Sequence, residues 1–160
     1  AARAPAHHVA RGYNLAIAVT CDAAFTFAGQ LYPGTYRVTV VGTTYSNLPR
    51  DSEYVADPAF VVGADRTNLA FDVRAVLVSG RITLNGMMPM RTCTSASPAT
   101  VRFIDAARGY DLSLPAVCDA AFSFSGLLYP GTYRVTVVGT TYSNLPRDSE
   151  YVALPSLVVP

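Results

Sequence analysis

The chain has no lysine and no tryptophan, and only 14% of its 160 residues are charged. All twelve basic residues are arginines, and the formal net charge is +1. Binding to nucleic acid or to acidic lipid headgroups depends on clustered positive charge, so this composition argues against both classes of partner. No apolar run approaches the roughly 20 residues that cross a bilayer as a helix, and we therefore predict no membrane span.

Histidine is almost as scarce, because His7 and His8 are the two histidines of the chain. Neighbouring side chains of a strand point to opposite faces, which argues against a shared metal ion. A catalytic triad that needs histidine cannot occur in both halves of the chain. The sequence also has no glycine-rich phosphate loop and no paired carboxylates in an apolar setting. These absences predict a protein that is not an enzyme and that holds no cofactor and no metal ion.

An internal repeat is the dominant feature of the sequence. Residues 31–56 read LYPGTYRVTVVGTTYSNLPRDSEYVA, and residues 128–153 have the same 26 letters at an offset of 97. The alignment extends without a gap, so that residues 11–62 match residues 108–159 with 12 differences in 52 positions. A repeat of this length defines the folding unit. We therefore predict two domains, residues 1–75 and residues 76–160.

Alternation of apolar and polar residues with period two predicts β-strands along almost the whole chain. Within residues 132–138, Tyr133, Val135 and Val137 are predicted to face the core, with Arg134 and Thr136 on the opposite face. No window has the apolar spacing of an amphipathic helix. The strands expected in a complete unit lie at 76–86, 99–109, 111–117, 120–127, 132–140 and 151–159, followed by a strand resembling 68–74. This spacing favours an antiparallel sandwich.

Turn signals separate the predicted strands. Asn85-Gly86 is typical of a two-residue β-hairpin turn. Pro33-Gly34 and Pro130-Gly131 favour type II turns, in which the glycine takes the position with positive φ. Gly80 predicts a bulge or a close approach inside its strand. In the first copy, residues 25–28 (FTFA) keep the alternating pattern and predict a further strand.

The motifs at 78–80 (VSG), 85–86 (NG), 122–124 (FSF) and 126–133 (GLLYPGTY) resemble the carboxypeptidase regulatory-like domain. That group belongs with the transthyretin-like and Cna-B-type sandwiches. The resemblance implies an all-β protein of two tandem seven-strand antiparallel sandwiches, in which 1–75 lacks its opening strand and 76–160 lacks its final strand. It also implies a stalk, spacer or adhesive role in a bacterial surface or secreted protein. A chain without lysine cannot form the Lys–Asn isopeptide bond that many Cna-B-type domains carry.

Three cysteines allow at most one disulfide bond within the chain. Cys21 and Cys118 are repeat equivalents, whereas the counterpart of Cys93 would precede residue 1. We predict a Cys93–Cys118 disulfide that closes a loop of 24 residues and stabilises by roughly 3 kcal/mol. Cys21 would then have its partner outside the chain. Such a bond implies an oxidising compartment, outside the cell or at its surface. Three buried free thiols in a cytosolic protein are the alternative.

Two polar runs of sequence RDSE, residues 50–53 and 147–150, lie between predicted strands. Calcium takes six to eight oxygen ligands, whereas each run offers two carboxylates beside an arginine. A solvated loop with an Arg–Asp pair is therefore the favoured interpretation. Four tyrosines flank the runs and could form a contact surface for a glycan or a neighbouring subunit, with packing inside the loop as the alternative. They are Tyr45, Tyr54, Tyr142 and Tyr151.

These observations predict a non-enzymatic structural repeat module at the cell surface or outside the cell. Its expected partners are neighbouring copies of itself, arranged head to tail in a stalk or filament. Two hypotheses explain why each predicted sandwich lacks one strand. The chain is either a segment cut from a longer tandem array or a subunit that exchanges strands with its neighbours. A carbohydrate-binding or surface-binding adhesive module is the second functional hypothesis.

Overall fold

The structure, a computed structural model, describes residues 3–8, 12, 14–20, 25–43, 46–49, 52–89, 97–119 and 122–160. The regular elements in these residues are β-strands with antiparallel pairing, and none of these residues is helical. The prediction of an all-β protein is therefore confirmed. None of the described residues belongs to an apolar helix that could cross a membrane. The chain divides into two compact units, residues 1–74 (unit 1) and residues 75–160 (unit 2).

Unit 1 contains one four-stranded sheet with the order β2-β1-β3-β4. Its strands are β1 (Arg3–His8), β2 (Asn14–Ala18), β3 (Gly34–Val41) and β4 (Glu53–Val62). Unit 2 contains a four-stranded sheet with the order β10-β9-β6-β7 and a two-stranded sheet of β5 and β8. Its strands are β5 (Val76–Arg81), β6 (Ala99–Asp105), β7 (Tyr110–Pro115), β8 (Ser123–Leu128), β9 (Gly131–Gly139) and β10 (Tyr151–Val159).

The two four-stranded sheets have equivalent strands in the same order. Each strand of unit 1 lies 97 residues before its counterpart, so that β2-β1-β3-β4 corresponds to β7-β6-β9-β10. The register also agrees, because Ala6 pairs with Val38 and the equivalent Phe103 pairs with Val135. Strand order and register therefore agree between the two sheets, although β1 and β6 lie outside the matching residues 11–62 and 108–159. A defined register is expected where one face of a sheet is buried.

The core of unit 2 lies between its two sheets. Phe103 and Tyr133 of the large sheet are fully buried, and their rings meet edge to face with centroids 6.2 Å apart. Phe124 of β8 faces them across the layer, 6.1 Å from the Phe103 ring. A Cβ atom on Gly80 would lie 2.5 Å from Cζ of Phe124, so glycine is needed where β5 passes beneath this ring. The predicted close approach at Gly80 is confirmed, and the architecture is sandwich-like.

The core of unit 1 has one sheet and an irregular second layer. Tyr36 and Val38 of β3 are buried, and Phe60 packs against them. The Phe71 ring meets Phe60 edge to face at 6.1 Å and stacks on Phe27 at 5.7 Å. Neither Phe27 nor Phe71 lies in a strand, and Phe27 forms only an isolated bridge with Val19. Among the described residues of unit 1, aromatic side chains therefore cover this face of the sheet where unit 2 has its second ladder.

Two strand predictions were wrong. Residues 68–74 and 25–28 were predicted as strands, yet the structure has no named strand at either segment. Residues 68–74 keep the strand alternation of burial, since Leu69, Phe71 and Val73 are half-buried between exposed neighbours. Alternation reports which side chains are covered, but a strand also requires a partner backbone.

Thr136 was predicted to face away from the core. It is nevertheless completely buried, because Arg102 of β6 and Val152 of β10 flank it on either side. Burial alone therefore does not distinguish the two faces of this strand at Thr136.

The turns show one success and one correction. Asn85 and Gly86 both have positive φ (53° and 78°), and the flanking Leu84 and Met87 exchange backbone hydrogen bonds of 2.8 and 3.0 Å. The predicted hairpin turn at Asn85-Gly86 is therefore confirmed. The type II turns predicted at Pro33-Gly34 and Pro130-Gly131 are wrong, because both glycines open strands and neither has a positive φ.

Candidate functional site

Unit 2 has a polar groove of about 460 Å³. It lies where β6 and β9 meet the loop between β9 and β10. The loop is anchored at its start, since Gly139 N–H donates to Pro146 O at 3.0 Å and Thr140 N–H donates to Pro98 O at 3.0 Å. The residues that line the groove are Thr100, Arg102, Val138, Gly139, Thr140, Arg147, Asp148, Ser149 and Glu150.

Arg102 lines the groove, and two carboxylates, those of Asp111 and Glu150, neutralise its positive charge. Its guanidinium donates to both carboxylate oxygens of Asp111, with Nε–Oδ1 at 3.3 Å and Nη2–Oδ2 at 2.5 Å. A further donor of the same group contacts Glu150. The hydrogen bond to Asp111 raises the pKa of Arg102 above its ordinary value. A guanidinium held by two carboxylates offers a bound anion little attraction, so this groove is suited to neutral polar groups.

This charge cluster belongs to the second copy alone. Pro5 and Asn14 occupy the unit 1 positions that correspond to Arg102 and Asp111. In unit 1, Glu53 instead pairs with Arg37 of β3, with the nearest N and O atoms 3.8 Å apart. The groove chemistry therefore differs between the two units even though their sheets are equivalent.

The second polar run, 147–150, lines the groove, but its ion pair differs from the predicted one. Glu150 pairs with Arg102, whereas an Arg–Asp pair was expected within the run. Within the described ranges no group of three or more metal-ligating side chains is present. In the first run, Arg50 and Asp51 lie outside the described residues.

The predicted tyrosine surface is exposed in unit 2. Tyr151, at the start of β10, has 71% of its surface accessible, and Tyr142 in the preceding loop has 42%. Tyr54, the counterpart of Tyr151, is half-buried on β4. Tyr45 lies outside the described residues. The two exposed rings flank the loop that forms the polar groove, which leaves a surface of aromatic and polar groups available to a ligand.

Cys118 is disulfide-bonded. Cys21 and Cys93 lie outside the described residues, so the predicted pairing with Cys93 stays a prediction. Asp119, directly after Cys118, accepts hydrogen bonds from the backbone N–H and the hydroxyl of Ser123. The cystine therefore sits at a turn that leads into β8.

A buried carboxylate, Asp105, organises one end of unit 2 and was not singled out from the sequence. Only 2% of Asp105 is exposed. Its Oδ1 accepts from the N–H groups of Ala107 and Arg108 at 3.1 and 3.2 Å, which closes the β6–β7 turn. Its Oδ2 accepts from Arg108 Nη1 and from Thr132 N–H, both at 3.0 Å. The carboxylate thereby ties the turn to the start of β9.

Two features of the sequence relate to Asp105, a difference between the two copies and a glycine near the carboxylate. His8 takes the corresponding place in unit 1, although the flanking Arg-Gly pairs are retained at 11–12 and 108–109. Gly131, after Pro130, is required by the carboxylate, because a Cβ atom there would lie 2.6 Å from Asp105 Oδ2. In unit 2, Gly131 therefore leaves room for the carboxylate and does not form a type II turn.

The pKa of Asp105 reflects two opposed effects. Burial raises it, since an ionised carboxylate loses hydration. The hydrogen bonds from Arg108 and from the N–H groups of Thr132 and Arg108 more than offset this, and the pKa of Asp105 lies below its ordinary value of 3.8. The ionised group is therefore part of the folded structure. Its donors are all committed within the protein, which is the signature of a structural carboxylate.

Each core also contains a hydrogen-bonded tyrosine at the same repeat position. Tyr36 donates its hydroxyl to Tyr32 O at 2.7 Å, and Tyr133 donates to Tyr129 O at 2.8 Å. Burial raises the pKa of Tyr133 far above its usual range. The bonds satisfy the one polar atom of a large apolar side chain.

Comparison of the chain with family models, with curated proteins and with solved structures finds no match in any of the three. The resemblance to carboxypeptidase regulatory-like domains accordingly rests on the motifs of the sequence, and the structure shows an all-β chain with antiparallel sheets.

Proposed function

We propose that this chain is a non-enzymatic structural repeat module, built from two tandem carboxypeptidase regulatory-like (transthyretin-like) sandwiches of an extracellular or cell-surface protein. One observation carries the proposal: closely matching sequences, residues 11–62 and 108–159, supply three strands of each four-stranded sheet, and the two sheets have the same strand order. Modules of this kind extend a protein by repetition, because each unit is stabilised by its own contacts and by those to its neighbours.

The stabilising contacts in each unit support a mechanical role. Tyr36 and Tyr133 make equivalent buried hydrogen bonds in their respective cores. Asp105 adds a buried carboxylate, whose partners Arg108 and Thr132 join two parts of unit 2. The groups with shifted pKa values among the described residues are thus committed to internal pairs. Such groups serve stability, whereas a catalytic group needs access to substrate.

The disulfide at Cys118 supports a location outside the cytosol. Cystines persist in oxidising compartments, where small domains use them to supplement a modest core. A stalk or filament at the surface of a bacterium is the setting that combines repetition with an oxidising environment.

Stretching single molecules of the full chain tests the proposal. We expect two separate unfolding events, because each unit has its own core. Extended residues span about 3.3–3.6 Å each, so unit 1 should release on the order of 250 Å and unit 2, after reduction of disulfides, on the order of 300 Å. A single event that releases both units together would contradict the proposal. Electron microscopy at high protein concentration that shows only compact monomers would remove the filament version.

A glycan-binding adhesive module is the second candidate, and the exposure of Tyr142 and Tyr151 beside the polar groove favours it. Exposed aromatic rings next to neutralised polar groups suit the apolar faces and hydroxyls of sugars. We expect Tyr142→Ala to abolish binding on a glycan array. Tyr32→Ala, at an exposed tyrosine of unit 1, is the matched control. Equal signals from both variants would exclude a tyrosine site.

A further inference from the structure

Residues 25–31 of unit 1 and residues 122–128 of unit 2 are repeat equivalents in different surroundings. Phe122 is 1% exposed, whereas its counterpart Phe25 is 53% exposed. Both phenylalanines have positive φ, 47° and 51°. A bulky side chain seldom adopts this conformation, and surrounding structure must hold it there.

An equivalent backbone hydrogen bond holds the start of each segment. Val117 N–H donates to Ser123 O at 2.7 Å in unit 2, and Thr20 N–H donates to Thr26 O at 2.8 Å in unit 1. The difference in exposure between Phe25 and Phe122 therefore comes from what covers them.

In unit 2 the cover is β5 and the residues that follow it. β5 pairs with β8 along its full length, from Val76 opposite Leu128 to Arg81 opposite Ser123. Beyond the strand, buried Ile82 donates its N–H to Phe122 O at 3.1 Å. The strand thus supplies the ladder, and its continuation carries an apolar residue to the strained phenylalanine.

The described residues of unit 1 include no counterpart of β5. Residues 28–30, which correspond to 125–127 of β8, are exposed and belong to no strand. Phe25 is exposed beside them. In the described part of unit 1, the surface that β5 covers in unit 2 is therefore exposed.

We infer that residues 25–31 form an acceptor edge for a β5-type strand, a segment with the sequence of residues 76–89 (VLVSGRITLNGMMP) from another copy of the repeat. Backbone hydrogen bonds to the edge would supply affinity, as in β-strand addition. The residue equivalent to Ile82 would cover Phe25, and the glycine equivalent to Gly80 would admit the Phe27 ring as Gly80 admits Phe124. The inference deepens the proposed function by naming the contact through which one repeat would join the next.

The probe is a labelled peptide of residues 76–89 added to the full chain. We expect saturable binding of one peptide per chain, because β5 already fills the equivalent edge of unit 2. Hydrogen exchange should slow at residues 28–31 when the peptide binds. A peptide with Gly80→Val should bind at least about tenfold more weakly, since a Cβ at this position already falls 2.5 Å from the ring of Phe124 in unit 2.

Two variants of the chain complete the experiment. Phe25→Ser should weaken binding by about tenfold or more. Val61→Ser, at another exposed apolar residue of unit 1, should leave binding unchanged. The absence of saturable binding up to about 1 mM peptide, equal binding of the Gly80→Val peptide, or unchanged binding by Phe25→Ser would overturn the inference. Slower exchange at 123–128 in place of 28–31 would also overturn it, because the peptide would then be displacing β5.

The inference rests on the proposed function for its biological meaning, but the two can fail separately. Two independent unfolding events without peptide binding would retain the repeat module and remove the acceptor edge. Peptide binding by a chain that unfolds in one event would retain the acceptor edge and remove the repeat module.

Discussion

At the scale of single residues, buried polar atoms decide how much each unit gains from its core. The Tyr133 hydroxyl is buried and hydrogen-bonded to Tyr129 O. We expect Tyr133→Phe to lower the free energy of unfolding of unit 2 by about 1 kcal/mol, the net value of a typical buried hydrogen bond. Urea denaturation measures this change. Tyr142→Phe, at an exposed ring, is the control and should have no effect; an equal loss in both variants would contradict the prediction.

Thr136 shows the opposite case. Its hydroxyl is buried and, among the described residues, has no hydrogen-bond partner. Burial without a partner costs free energy, and valine has nearly the same shape. We expect Thr136→Val to increase the free energy of unfolding of unit 2 by about 1 kcal/mol. The urea concentration at the midpoint of unfolding should rise accordingly. Thr132→Val, at an exposed position of the same strand, should change it little. A lower midpoint for Thr136→Val would show that the hydroxyl has a partner.

The Asp105 carboxylate should make stability depend on pH. Its pKa in the folded protein lies below the ordinary value of 3.8. The stabilisation is therefore complete above about pH 4 to 5 and is lost as pH falls through the folded pKa. We expect the unfolding free energy of the wild type to fall more steeply below pH 5 than that of Asp105→Asn. Urea titrations from pH 3 to pH 7 test this, with Asp148→Asn as the control. Parallel curves for wild type and Asp105→Asn would contradict it.

At the scale of elements, close backbone approaches hold the long loops on their sheets. A Cβ atom on Gly139 would lie 2.6 Å from the carbonyl oxygen of Leu145, and one on Gly42 would lie 2.6 Å from the carbonyl oxygen of Leu48. These glycines are repeat equivalents, so both units anchor the loop after β3 or β9 in the same way. The obstacle is backbone, which cannot move aside as a flexible side chain does.

We expect Gly139→Ala to destabilise unit 2 by about 1–3 kcal/mol, the usual cost of overpacking. Gly63→Ala is the matched control, because Gly63 has open space around it and no positive φ. It should be neutral or slightly stabilising, since alanine restricts the unfolded chain. Thermal unfolding of both variants provides the measurement. A neutral Gly139→Ala would mean that the loop tolerates displacement from the strand.

At the scale of the whole molecule, the repeat predicts how the three cysteines pair. We expect mass mapping under non-reducing conditions to find a Cys93–Cys118 peptide and one free thiol, at Cys21. Reduction should destabilise unit 2 by roughly 3 kcal/mol, because the closed loop restricts the unfolded chain. Unit 1 should unfold at the same urea concentration before and after reduction. Three free thiols, or a Cys21–Cys118 peptide, would contradict the prediction.

Local chemistry made several parts of the structure predictable. Alternation located β6, β7, β8, β9 and β10, since a strand with one buried face must place apolar residues at every second position. Asn85-Gly86 predicted its hairpin because both residues tolerate positive φ. The repeat predicted that whatever sheet formed once would form twice.

The remaining features depended on groups far apart in the chain. Gly131 is needed by Asp105, 26 residues earlier, and Thr136 is buried by strands on both sides. Arg102 reaches Asp111 and Glu150 only because β6, β7 and the 140–150 loop come together. Alternation cannot report such contacts, since it describes one strand at a time.

The sequence by itself determined the all-β class and the repeat period of 97 residues, because these follow from local periodicity and from repetition. Tertiary structure alone decided which alternating segments became strands. Residues 123–128 have β5 beside them and form β8, whereas the described residues include no such neighbour for the related residues 26–31, which remain outside any named strand. A β-ladder requires a partner, and the pattern of one segment carries no information about whether its partner is present.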